Sequence, residues 1–129
     1  MVTTAYLDIS AVMKLIMREA ETGAIREWWA SANAVVASSW LLHTELHCAA
    51  GRRPEVVTIE AISAVLGGVT LVDVTRGDLL AAGTHAPLRS NDAIHLATAL
   101  RIGADEFVTY DRELTAAVTA AGLRAVAPR

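Results

Sequence analysis

LRSNDAIHLATALRIGADEFVTYDRE, residues 88–113, is the stretch that decides the fold. Its first half repeats apolar residues at helical spacing, with Ser90 as the expected N-cap and Asp92 in the first turn. After a short turn, Phe107, Val108, Thr109 and Tyr110 read as an apolar strand that stops on Asp111. If that strand lies inside a parallel sheet, both acids fall near its carboxyl end.

The flanks repeat the alternation. Residues 5–7 form a short apolar strand ending on Asp8, and Ser10 precedes a helical pattern carrying Val12, Leu15 and Ile16. A second helix is expected over residues 21–32, with Glu19 and Glu21 near its start and Trp28 and Trp29 on it. The all-apolar run 34–37 reads as a buried parallel strand, and Ser38 and Ser39 end it and cap a helix over 40–50 that contains Glu45. Residues 51–54 break the chain. A further helix over 55–66 directs Ile59, Ile62, Val65 and Leu66 inward before Gly67 and Gly68 stop it. Residues 69–74 form a third strand, 75–82 a short helix and 83–88 a loop containing Pro87. After Asp111 a last helix runs to about Ala121, Gly122 closes it, and 123–126 add an edge strand. Such alternation implies an α/β sandwich whose ligands gather at the carboxyl ends of parallel strands, where Asp8 and Asp111 both stand.

A chain of 129 residues can bury roughly two-thirds of its unfolded surface in one core, so a single domain over residues 1–129 is expected. Hydrophobic residues make up 53% and charged residues 19%, a balance that leaves apolar surface for a partner or a second copy. Residues 1–6 lack a basic leader and no segment approaches a membrane span, which makes the cytoplasm the expected location. Cys48 is the only cysteine, so no intrachain disulfide forms, and a small core residue without chemistry is expected there. The net charge of −3 argues against binding nucleic acid by bulk electrostatics, yet acids gathered around cations are compatible with a nuclease.

Three acids have ordinary explanations: Asp8 as a turn or cap residue, Asp92 as a dipole partner in a first helical turn, Asp111 as an N-cap. Glu45 does not. Leu41, Leu42, Cys48 and Ala49 lie three or four residues away, placing it on the apolar face of its helix with no Lys or Arg one turn off. A carboxylate there must pair, protonate or bind a metal. Four acids directed to one sheet edge repel one another unless a hard divalent cation, Mg²⁺ or Mn²⁺, sits among them. Such a cation polarises phosphate, lowers the pKa of bound water and stabilises a leaving oxygen, so phosphodiester hydrolysis suits the cluster best.

Other motifs carry less. His43 and His47 have the spacing of a zinc protease helix, but the sequence reads H-T-E-L-H rather than H-E-x-x-H. His95, one turn after Asp92, is expected to pack or hydrogen-bond locally, and the loop residue His85 carries no signal. Trp28, Trp29 and Trp40 are expected as core or interface anchors. Arg89 and Arg112 flank two of the acids and are the candidates for phosphate contacts. A phosphatase using Asp8 as nucleophile would need a second Asp where Ser10 stands, and a phosphorylated receiver would need a late Lys where the chain has only Lys14.

The segments YLDISA (6–11), SWLLHTEL (39–46), LRSNDAIHLATAL (88–100) and GADEFVTYDREL (103–114) together resemble the PIN-domain ribonucleases, and in particular the VapC-type toxins of toxin–antitoxin pairs. The D-A-x-H-L-A helix followed at this distance by T-Y-D is the specific part. Ile9 and Asn91 depart from the frequent Thr and Leu of the family. The resemblance implies a three-layer α/β/α sandwich with a mainly parallel central sheet of four to five strands. It also implies an endoribonuclease that depends on Mg²⁺ or Mn²⁺, with Asp8, Glu45, Asp92 and Asp111 holding the metal and Ser10 and Thr109 supporting them. RNA as substrate, a homodimer and a cognate VapB-type antitoxin come with it. The alternative is a catalytically weak PIN-fold module that binds RNA or protein.

Overall fold

The computed structural model describes residues 2–129; Met1, the first residue of the segment searched for a leader, lies outside them. The elements run β1 (Thr3–Leu7), α1 (Ile9–Ile16), α2 (Thr22–Ser31), β2 (Ala34–Ser39), α3 (Trp40–Arg52), α4 (Ile59–Leu66), β3 (Thr70–Val72), α5 (Arg76–Ala82), α6 (Ser90–Arg101), β4 (Glu106–Val108), α7 (Arg112–Ala120) and β5 (Arg124–Val126). The five strands form one sheet in the order β3-β2-β1-β4-β5, and every pairing is parallel.

That order contains a switch. The chain moves outward from β1 through β2 to β3, then crosses back to place β4 on the other side of β1. In an open parallel sheet, the crevice at such a reversal, beyond the carboxyl ends of the strands, is where ligands bind. Here it lies between β1 and β4, the two strands followed by Asp8 and Asp111.

Alternation along β1 sets the layers, because successive side chains of a strand face opposite sides. Ala5 and Leu7 pack with Val12, Ile25, Leu42, Leu46 and Ile62, drawn from α1 to α4. Tyr6 faces the other way and packs with Leu96, Phe107, Leu114 and Val118, which places α6 and α7 on the opposite side. The result is the expected three-layer sandwich. Its two helix-to-strand returns, before β4 and β5, turn on Gly103 (φ 71°) and Gly122 (φ 93°), left-handed conformations that only glycine adopts cheaply.

Several local expectations differ from what is observed. Ser90 is the first residue of α6 rather than its cap; Arg89 occupies the cap in extended conformation, and no side chain bonds the open amides there. Asp8, not Ser10, caps α1, its carboxylate accepting from the Ala11 amide. The helix expected from residue 55 begins at Ile59, because turns at Arg53–Val57 precede a Thr58 side-chain cap, and Ile59 itself faces solvent. Gly67 ends α4 in ordinary helical conformation, so its freedom is not what stops the helix. The strand expected through Tyr110 stops at Val108, since the Tyr110 amide leaves the ladder to donate to Ser10 Oγ. Cys48 is exposed rather than a core residue, as α3 turns that face outward. Trp40 is exposed as well, whereas Trp28 and Trp29 pack against the core. Among the described residues, no helix is long and apolar enough to cross a membrane.

Candidate active site

Topology explains why the acids converge. In a parallel sheet, a helix that follows a strand starts at the strand's carboxyl edge, and a helix that precedes a strand starts there too, because it must run back. Asp8 caps α1 directly after β1, Asp111 caps α7 after the end of β4, and Asp92 sits in the first turn of α6, the helix that leads into β4. Glu45 stands one and a half turns into α3, the helix that follows β2.

Asp8 is the most enclosed of the four, with 1% of its surface exposed. Its Oδ1 accepts from Ser10 Oγ at 2.7 Å and the Ala11 amide at 3.0 Å, and its Oδ2 accepts from Thr109 Oγ1 at 2.6 Å. Each hydroxyl has one proton and gives it to Asp8, so the 3.2 Å approach of Ser10 Oγ to Thr109 Oγ1 is a close contact rather than a further bond. Both hydroxyls also accept, Ser10 from the Tyr110 amide at 2.9 Å and Thr109 from the Asp111 amide at 3.1 Å. These bonds stitch the β1 and β4 ends together across the switch point. Burial pushes the Asp8 carboxyl above its ordinary value, opposed by the hydrogen bonds from Thr109, Ser10 and Ala11.

Asp92 is raised too. Burial is the largest cause, followed by the charges of Asp111 and Asp8, with His95 pulling down and Glu45 pushing up. One carboxyl thus registers all three of its expected companions. Asp111 is held by the Leu114 amide, which donates to its Oδ1 at 2.8 Å. As the side chains stand, no group of three or more His, Cys, Asp or Glu among the described residues is gathered closely enough to grip one ion. The crowding reported by Asp92 is therefore one of electrostatic range, and joint coordination would require the carboxylates to turn inward. The donor set itself is all oxygen and all anionic, which fits Mg²⁺ or Mn²⁺ and not a soft metal.

Glu45 has the partner its helix lacked. Its Oε1 lies 2.5 Å from His95 Nε2, while Asn91 Nδ2 makes a longer 3.4 Å contact to Oε2. His95 is fully buried, and its Nδ1 lies 2.6 Å from the Tyr6 hydroxyl. The expected local packing of His95 understates it: the ring joins a helix of one layer to a helix of the other. The sequence signal available was a histidine one turn after Asp92 on a helix otherwise buried as Ala93, Leu96 and Ala97.

Asp78 drew no attention in the sequence, although Thr75 and Asp78 have capping-box spacing. The box is formed, and Asp78 also accepts from Arg101 Nε at 2.8 Å and from Thr98 Oγ1 at 3.3 Å. Burial raises the Asp78 carboxyl and these donors outweigh it, for a net position below the ordinary range. It is a structural tie between α5 and α6. Arg89 and Arg112 are exposed at the N-terminal ends of α6 and α7, on the same edge as the acids. The His43 and His47 rings lie 4.3 Å apart, tilted by 39°, beside Trp40, and join no larger ligand group among the described residues. Asp105 and Glu106 lie at the opposite edge, where Asp105 accepts from the Thr4 amide. Two larger hollows, of about 630 and 550 Å³, include none of the four acids.

The family model for the PIN domain matches residues 5–119. The chain belongs to the PIN-domain family. Within it the relatives are VapC proteins: Ribonuclease VapC46 of Mycobacterium tuberculosis is 36% identical over 127 residues, covering 95% of this chain and 96% of that one. Ribonuclease VapC47 of the same species is 33% identical over 130 residues with the same coverage. Among solved structures, M. tuberculosis VapC20, described as a sarcin-ricin loop cleaving toxin, superposes with a TM-score of 0.77 at 22% identity, covering 97% of this chain and all of that one. VapBC-1 from nontypeable Haemophilus influenzae gives 0.72 at 18% identity over 97% of this chain and 98% of that one. In this PIN domain the matched region spans all four acids and their Ser10, Thr109 and His95 partners.

Proposed function

We propose that this PIN domain is an endoribonuclease toxin that depends on Mg²⁺ or Mn²⁺ and is restrained by a cognate VapB-type antitoxin. The observation that carries the reading is the placement of Asp8, Asp92 and Asp111 on the carboxyl edge of a parallel sheet at its switch point, with Asp8 held between Ser10 and Thr109. Relatives at 33–36% identity over nearly their whole length are named ribonucleases, which supports RNA as the substrate.

Asp8, Glu45, Asp92 and Asp111 would hold the cation, which when bound supplies charge neutralisation at a phosphodiester and an activated water. The remaining work belongs to the chain. Ser10 and Thr109 fix both oxygens of Asp8 at the floor of the site, and the α7 amide end fixes one oxygen of Asp111. Arg89 and Arg112, exposed at the rim, are suited to backbone phosphates. Exposed Trp40, Leu79 and Leu80 leave apolar surface that supports a homodimer or an antitoxin contact.

The reading is tested by incubating purified chain with RNA in Mg²⁺ or Mn²⁺, with EDTA, and with Asp92→Asn substituted. Cleavage that requires metal and disappears in Asp92→Asn is the expected outcome. Cleavage that persists in EDTA or in the variant overturns it. A weak-site binding module is the second reading, favoured by the lack of three acids already gathered in ligating distance, and it predicts RNA binding without cleavage.

A further inference from the structure

We propose that His95 is a positioning residue for Glu45, with the Tyr6 hydroxyl setting the imidazole so that Nε2 presents its proton to Glu45 Oε1 and leaves Oε2 for the cation. The inference rests on the proposed metal site and adds a three-residue relay that supports it from beneath. Tyr6 lies in the middle of β1, His95 on α6 and Glu45 on α3, so the relay ties the sheet and both helical layers to one carboxylate oxygen.

The geometry fixes the orientation of the ring. Among the described residues each ring nitrogen has one oxygen at bonding distance, 2.6 Å from Nδ1 and 2.5 Å from Nε2. With Nε2 against Glu45 Oε1 and Nδ1 against the Tyr6 hydroxyl, the ring is held at both nitrogens and cannot turn away from Glu45. The Tyr6 hydroxyl is a fixed neutral partner for the ring: burial, opposed by the Ser39 and Ser38 hydroxyls, holds its pKa far above the ordinary tyrosine value. Tyr6 in turn is fixed by stacking on Phe107 at 5.2 Å and by its edge contact with the His95 ring at 5.6 Å.

A glutamate on a helix has three rotatable bonds and would otherwise sample several positions. Anchoring Oε1 removes most of that freedom and leaves Oε2, among the described residues, with the long Asn91 contact. Partners that hold a ligand through its second atom commonly change metal affinity by about 10- to 100-fold when removed.

Three measurements test this on the full-length chain. In metal-free protein at neutral pH, long-range ¹H–¹⁵N correlation of the His95 ring should show a protonated Nε2; a bare Nε2 overturns the assignment. Calorimetric titration with Mn²⁺ should show binding weakened about tenfold or more in His95→Leu, restored in part by His95→Gln, whose amide can still donate to Glu45, and weakened less in Tyr6→Phe. Unchanged Mn²⁺ affinity in folded His95→Leu and Tyr6→Phe overturns the proposal, as does a loss in Gln equal to that in Leu. If His95→Leu does not fold, Tyr6→Phe, which keeps the ring stack, carries the comparison. Absence of Mn²⁺ binding by the unaltered chain would instead defeat the metal-site reading, while the ring-proton measurement still decides the relay.

Discussion

Replacing Asp8 separates its structural role from its chemical one, and the two replacements Asp8→Asn and Asp8→Ala should part company. The carboxylate accepts three hydrogen bonds in a nearly sealed position and caps α1. Asn keeps Oδ1 for Ser10 and the Ala11 amide, and its Nδ2 can donate to Thr109 Oγ1, whose freed proton can turn to Ser10 Oγ 3.2 Å away. It also removes a buried charge. Its cost should therefore be small, within about 1 kcal/mol of the parent. Ala removes the cap, worth about 0.5–2 kcal/mol, and strands two hydroxyl protons. Leaving a buried donor unsatisfied costs about 1–3 kcal/mol, reduced here because Ser10 and Thr109 stand close enough to turn toward one another. A net loss of about 2–4 kcal/mol follows, a drop in Tm of roughly 10 °C for a domain of this size. Thermal unfolding of the three proteins in EDTA measures it, and RNA cleavage should vanish in both variants. An Asp8→Ala protein as stable as the parent, or an Asp8→Asn protein melting as low as Asp8→Ala, would refute the bonding account.

Asp92→Asn should stabilise the metal-free protein at neutral pH. The Asp92 carboxyl is raised in the folded state by burial and then by Asp111 and Asp8, so the folded form favours its proton and stability falls as pH rises from the unfolded carboxylate pKa through the folded one. The gain from Asn should accordingly be largest at neutral pH and shrink toward acid, read by calorimetry in EDTA; a constant or growing gain on acidification contradicts the assignment. Asp78 has the opposite sign: its lowered carboxyl adds stability above the ordinary Asp pKa that is lost as pH falls through the folded value. Asp78→Ala should cost about 2–4 kcal/mol in urea unfolding, from the lost capping box and from a buried pair whose Arg101 end, at 41% exposure, regains water. Arg89→Ala and Arg112→Ala should weaken RNA binding in EDTA about equally for all sequences and each lower the salt slope by about 1; an unchanged slope removes them from the phosphate track.

The sequence made the acids findable for different reasons. Asp8 and Asp111 terminate apolar strands, and a parallel sheet turns that local fact into a shared edge. Asp92 was visible as an acid in a first turn, and Glu45 as a carboxylate facing apolar neighbours without a cation within a turn. What it could not supply were partners set by tertiary contact. Tyr6 and His95 are separated by 89 residues, and His95 and Glu45 by 50, so no periodicity links them. Arg101 reaches Asp78 from 23 residues away for the same reason. Ser90 was misplaced because a serine before a helical run is a good cap by composition, whereas the preceding turn at His85–Leu88 delivers Arg89 to that position. Cys48 and Ile59 are exposed against expectation because helical spacing defines a face without saying where along its rim the neighbouring layer ends.

Four acids from four separate elements are proposed to hold one cation site at the β1–β4 switch. Anomalous diffraction from crystals of the chain grown or soaked in Mn²⁺ tests it most directly. Manganese density lined by the carboxylates of Asp8, Glu45, Asp92 and Asp111, and absent from Asp92→Asn, is the expected result. Manganese that binds elsewhere, at His43 and His47 for example, or that leaves this edge empty at saturating concentration, would contradict it.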